Sequence, residues 1–109
     1  MATVFLNKVI KEVGTTPILA IETDAGTRST IVGMSFANLT DNTVFASVLV
    51  HDDTSAEGYW LKDVQVPPNT SLRALSAGEK LILAPTNQLY LVCDTTEGYD
   101  AIISYVDIV

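Results

Sequence analysis

From residue 58 onward the chain is a regular beat of short apolar segments cut apart by turn residues. In order they read Tyr59–Val66 (YWLKDVQV), Pro67-Pro68-Asn69-Thr70, Ser71–Leu75, Gly78-Glu79, Lys80–Ala84, Pro85-Thr86-Asn87, Gln88–Cys93, Thr95–Gly98 and Tyr99–Val109. Each segment has the length of a β-strand. Each interruption carries the Gly, Pro, Asn or Thr that lets an extended chain reverse direction. A chain written this way folds as an all-β domain.

The first half follows the same grammar. Residues 2–13 read as a strand, with Val4, Leu6 and Ile10 alternating against Phe5, Val9 and Val13. Gly14-Thr15-Thr16-Pro17 breaks it, Ile18–Glu22 is a second short strand, and Asp24-Ala25-Gly26-Thr27 is a tight turn. Arg28–Asn38 and Thr43–His51, joined through Thr40-Asp41-Asn42, read as a hairpin. The polar loop Asp52–Gly58 follows. No segment has a helical period, although Ser71–Gly78 has room for one helical turn. The sum is a single domain over residues 1–109, an antiparallel β-sandwich of about eight strands, Ig-like or jelly-roll-like. Residues 1–13 serve as an N-terminal arm or edge strand. Pro67-Pro68 cannot sit inside a central ladder, so it marks a corner where the chain changes sheets.

At 109 residues a core can close without disulfides or metals. Cys93 is the single cysteine, so no intrachain disulfide forms, and its place inside LYLVC makes it a small buried hydrophobe. The net charge of −7 is spread evenly along the chain, with six basic residues scattered singly. That is a poor footprint for a phosphate backbone, and nucleic acid is not an expected partner. No apolar run approaches the ~20 residues that span a bilayer, so no membrane partner is expected. The N-terminus lacks the pattern of a signal peptide.

Several strands are apolar on both faces, where a sandwich strand should alternate. Val44, Ala46, Val48 and Val50 share one face, yet Phe45 and Leu49 stand on the other. In the last strand Ile103 and Tyr105 oppose Ile102, Val106 and Ile108. A domain of this size cannot cover both faces with its own residues, so the surplus is expected to meet another subunit. Val4, Phe5, Phe45, Leu49, Trp60, Ile102 and Tyr105 are the interface candidates.

Chemistry has little to stand on. His51, the one histidine, precedes Asp52-Asp53, a weak start for a general base or a hydrolase and an ordinary end of a strand. Asp94, Glu97 and Asp100 lack the spacing of a calcium loop. The glycines are single, so no phosphate-cradling loop exists. Catalytic, metal and cofactor residues are therefore assigned as none, and the protein is expected not to be an enzyme. Tyr59-Trp60 and the loops 52–60 and 94–100 keep a receptor- or carbohydrate-binding module open as the alternative.

The cadence Val66-Pro67-Pro68-Asn69-Thr70-Ser71-Leu72, then Gly78-Glu79-Lys80-Leu81-Ile82-Leu83, then Asn87-Gln88-Leu89-Tyr90-Leu91, resembles small virion proteins of tailed bacteriophages. These have a V-P-x-x-x-S-L corner, a G-x-K-L-x-L strand and a final D-A-I-I-S-Y-V-D-I element, here Asp100–Ile108. Where that group carries P-G-D or A-G-D, this chain has Ala84-Pro85-Thr86-Asn87. The likeness covers residues 28–109. It implies a virion component present in many copies on the capsid, neck or tail, made in the bacterial host cytoplasm, without catalysis. Its partners would be itself and other virion proteins.

Overall fold

The computed structural model describes residues 2–54, 56–75 and 80–109. Among them stand nine strands and no helix: β1 (Thr3–Val13), β2 (Ile18–Glu22), β3 (Arg28–Asn38), β4 (Val44–His51), β5 (Glu57–Val66), β6 (Ser71–Arg73), β7 (Leu81–Leu83), β8 (Gln88–Cys93) and β9 (Tyr99–Ile108). Sheet I runs β1-β9-β3, with β6 and β7 both on the far edge of β3, and sheet II runs β2-β8-β4-β5. Every pairing is antiparallel. Consecutive strands mostly alternate between the sheets, and this interleaved order is that of a jelly roll rather than an Ig-like sandwich.

The count of nine instead of about eight has a simple cause. β6 covers Ser35–Ala37 of β3 and β7 covers Ser29–Ile31, so two short strands fill one position. The expected helical turn over Ser71–Gly78 begins as β6, and its last residues lie outside the described residues, as does the Gly78-Glu79 break. Pro67-Pro68 sits at the predicted corner, where the chain leaves sheet II after Val66 and joins sheet I at Ser71.

The hairpin expected from Arg28–Asn38 and Thr43–His51 does not form. β3 belongs to sheet I and β4 to sheet II, and the Thr40-Asp41-Asn42 connection arches between them. Asn38 builds the arch. Its buried Nδ2 donates toward the carbonyls of Asn42, Val66 and Pro67 at 2.8, 2.9 and 3.0 Å, and its Oδ1 accepts from the Thr40 amide and hydroxyl at 2.8 and 2.9 Å. Period-two alternation is the same whether two strands pair edge to edge or pack face to face, so alternation does not separate the two, and Asn38 ties the arch that the chain adopts. The actual hairpin is β4–β5, and Asp52 closes its turn by accepting from the amides of Thr54 and Ala56.

The core lies between the sheets. Ile31, Met34, Phe36, Tyr99 and Ile103 from sheet I meet Val44, Val48, Leu89, Leu91 and Cys93 from sheet II. The rings of Phe36 and Tyr99 are 4.7 Å apart in a tilted pair. Each large side chain buried here contributes roughly 2 kcal/mol of hydrophobic stabilisation.

Candidate assembly surfaces

Cross-strand register turns the leftover apolar residues into rows. Residues opposite one another in adjacent strands share a face and touch. On the outer face of sheet I, Phe5 lies opposite Val106, Val106 opposite Thr30, and Thr30 opposite Ile82. A second row runs Val9, Ile102, Ser35, Arg73. Between them lies Asn7, Ser104, Gly33, a line of short residues beside which the exposed Val32 stands at a bulge in β3. The face thus carries two rows rich in apolar side chains with a more polar line between them. Phe5 is 79% exposed and Ile82 59%.

Sheet II carries an apolar row of its own. Leu19, Tyr90, Leu49 and Tyr59 form one row across all four strands of its outer face. Leu49 is only 8% exposed, yet it is not part of the core cluster. Its cover is the pair of tyrosines on either side of it. The next row, Glu22, Gln88, His51, Glu57, is polar, with Gln88 donating to the Glu22 carboxylate and accepting from the Tyr90 hydroxyl at 3.1 Å.

The edges differ as strongly as the faces. β5 is a long edge strand, but its pairing with β4 breaks register twice, and Asp63 takes a positive φ of 51° with its amide bonded to Ser47 Oγ at 2.9 Å. Bulges of this kind twist an edge away from further pairing. β2, β6 and β7 are short. β1 is different: Thr3–Ile10 pairs with Ala101–Ile108 without a break, while its other edge is open and its residues 2–9 are all exposed. Only at Glu12 does it bend, where a positive φ of 55° turns the Glu12 amide onto Asp100 Oδ1 at 2.8 Å.

The seven candidates divide along these lines. Phe5 and Ile102 stand on the outer face of sheet I, and Phe45 and Leu49 on that of sheet II. Val4 is exposed, on the part of β1 that holds the open edge. Trp60 and Tyr105 are half-buried and pack against the core. Val9, Leu19, Ile82 and Tyr90 belong to the rows without being interface candidates, as does Tyr59, named above only for the binding alternative, because a row exists only once the register is known.

The other constellations come apart. Asp52 is occupied by its turn, whose hydrogen bonds, the Thr54 hydroxyl first, hold its carboxyl below the usual range. Asp94 accepts from the Phe45 amide at 2.9 Å, whereas Asp100 faces Glu12. Among the described residues no three His, Cys, Asp or Glu side chains are grouped to hold a metal. The loops 52–60 and 94–100, the shared site of the receptor-binding alternative, sit at opposite ends of β4: one follows His51 and the other bonds Phe45. At ~3.3 Å per residue they stand roughly 20 Å apart.

Charge spread evenly along the sequence is sorted by the fold. Arg28 and Arg73 lie on the outer face of sheet I, where Asp100 is already bonded to Glu12. The outer face of sheet II carries Glu22, Glu57 and Asp63, together with Lys62, whose Nζ lies 3.4 Å from the Asp63 carboxylate and 5.1 Å from the centre of the Tyr59 ring.

No protein-family model matches the sequence, and no curated protein matches it either. Among solved structures it is similar to one of the Bacillus endospore appendages, described as a family of disulfide-linked pili. The TM-score is 0.58 at 6% identity, over 97% of this chain and 84% of the other. A likeness at that identity is one of fold. It agrees with an all-β sandwich, and it does not single out the tailed-phage group.

Proposed function

We propose that this protein is a non-enzymatic structural subunit that works in many copies, joined through its apolar outer faces and the open edge of β1. One observation carries this reading. A sandwich with a filled core still presents apolar rows across both outer faces, and patches of that extent are rare on monomers. The fold it shares with a pilus protein supports the same reading. Assembly is mechanical: outer rows lose water on contact, and β1 offers unpaired backbone groups to a neighbouring strand. Cys93, the one cysteine of the sequence, is buried and its thiol is pushed up by burial. Cys93 therefore does not offer the disulfide linkage described for the pili.

The finer setting is a tailed-phage particle, on capsid, neck or tail, with the chain made in the host cytoplasm and bound to itself and to other virion proteins. The cadence of residues 66–108 supports it, while the fold likeness favours a fibre. Sedimentation velocity from micromolar to millimolar protein, with negative-stain microscopy, tests the assembly reading; a monomer throughout that range sinks it. Mass spectrometry of purified virions tests the setting, and absence from the particle removes it while leaving self-assembly standing.

A further inference from the structure

We infer that two copies of this chain pair through β1, the strands running antiparallel across a two-fold axis at Leu6, so that sheet I of one copy runs on into sheet I of the other. This rests on the assembly reading and names one of its contacts. Ala2 and Val109 exchange both backbone bonds, the Ala2 amide donating at 3.3 Å and the Val109 amide at 2.9 Å. Ladder groups alternate between the two sides of a strand, and β1 keeps its register against β9 from Thr3 to Ile10. Val4, Leu6, Lys8 and Ile10 therefore turn their amides and carbonyls toward β9. Those of Thr3, Phe5, Asn7 and Val9 point out of the open edge.

These outward positions are symmetric about Leu6. In the antiparallel register that sets Leu6 against Leu6, Thr3 meets Val9 of the partner copy and Phe5 meets Asn7, and every outward amide faces an outward carbonyl. Such a ladder holds about eight bonds, near the ten or so typical of an interface. Sliding it by two residues leaves Thr3 or Val9 without a partner in the unbroken strand. Sliding it by one turns the outer face of one copy onto the inner face of the other. A second observation lies on the inner face. Val4 and Leu6 share that face with the buried Ile10, yet they remain 42% and 39% exposed, so the core stops short at this edge. Pairing covers both, placing Leu6 beside its own copy and Val4 beside the methylene stem of Lys8. Like charges stay apart, because Lys8, the one charged residue between Thr3 and Ile10, stands about 13 Å along the ladder from Lys8 of the partner copy.

The occupant follows from the other edges. Among the described residues none runs more than three residues without a break: β2 shifts register after Leu19, β5 shifts on both sides of Leu61, and β6 and β7 are 3 residues long. Among the edges of this chain, β1 finds its match only in a second β1. A contact that uses the same patch on both partners closes on itself. The product is a dimer, with its outer faces left free for wider assembly.

Two substitutions test the pairing. Asn7→Pro removes an amide that β9 does not use, so the monomer should fold, as circular dichroism will show. It also removes the Asn7–Phe5 bond on each side of the axis, and should weaken association at least about tenfold in sedimentation equilibrium. Leu6→Cys reads the register, since facing residues of a non-hydrogen-bonded pair stand about 4.5 Å apart, within disulfide range. With oxidised glutathione it should give a covalent dimer at least about tenfold faster than Val4→Cys, whose two copies lie about 13 Å apart. The unaltered chain, whose Cys93 is buried, gives the background. A rate for Leu6→Cys close to that of Val4→Cys, including none for both, overturns the pairing. So does an Asn7→Pro chain that associates as the unaltered one does, and either result leaves assembly through the outer faces standing. An unaltered chain that stays monomeric to millimolar concentration overturns both. If Asn7→Pro does not fold, the two cysteine variants decide.

Discussion

A methyl group added at Gly98 would enter the space of Cys93 Sγ and stand 3.1 Å from the Thr95 carbonyl oxygen. The backbone cannot yield, because the Gly98 amide donates to Val13 at 2.8 Å and its carbonyl accepts from Leu39 at 3.0 Å. Gly98→Ala should cost about 2 kcal/mol by urea denaturation. In a Cys93→Ala background the added cost should fall by at least half, and strict additivity of the two changes would show that the sulfur is not the obstacle. The neighbouring Tyr99 makes a pH prediction. Burial, and then the nearby Cys93, push its hydroxyl well above the ordinary 10.0, and burial likewise raises Cys93 above 9.0. A folded-state value above the unfolded one means that the fold holds the proton more tightly. This contribution is complete below the ordinary value and is lost as pH rises beyond it. Stability should therefore begin to fall above about pH 9 and fall faster above about pH 10. Tyr99→Phe should flatten the upper part of that fall, at a cost near neutrality of about 1 kcal/mol for the bond to the Val92 carbonyl. Denaturation midpoints measured at intervals from neutral to strongly alkaline pH would show an unaltered slope if Tyr99 is not responsible.

Among the elements, β1 is the one whose length exceeds its structural need. Ile10 and Val13 carry its burial, whereas residues 2–9 are exposed. A chain lacking residues 2–8 should fold, with a melting temperature lowered by several degrees, because β9 loses part of one neighbour. Its self-association should weaken about tenfold if the edge contributes to assembly. Circular dichroism and sedimentation read the two effects separately, and a truncated chain that associates normally removes β1 from the contact. How much of this was legible beforehand varies by element. Turn chemistry located Ile18–Glu22 and Gln88–Cys93 to the residue and the Pro67-Pro68 corner by mechanism. Pairing was not legible, since β3 and β4 alternate alike whether paired or stacked, and the ladders that hold β3 in sheet I join it to strands far along the chain. Alternation also does not reveal that Trp60 and Tyr105 pack against the core. Trp60 falls where β5 breaks register against β4, so simple alternation loses count there. Tyr105 lies opposite Leu6 and Ile31 on the inner side.

For the whole molecule, the net charge of −7 keeps copies apart in dilute solution, and the fold distributes its charges unevenly between the two outer faces. A uniform sequence charge gave no hint of that sorting, because it arises from register across strands up to a hundred residues apart. A last consequence follows from the ends of the chain. Ala2 and Val109 exchange backbone hydrogen bonds, at 3.3 and 2.9 Å, which sets the first and last described residues side by side at one corner of sheet I. Joining them with a short glycine linker and opening the chain between Asp53 and Thr54, in the exposed β4–β5 turn, should give a circular permutant that folds with little loss of stability, readable in one melting curve. Passengers fused to either end would leave from that same corner. In a pair of copies joined through β1 these corners stand at opposite ends, so each dimer would carry a passenger at each tip.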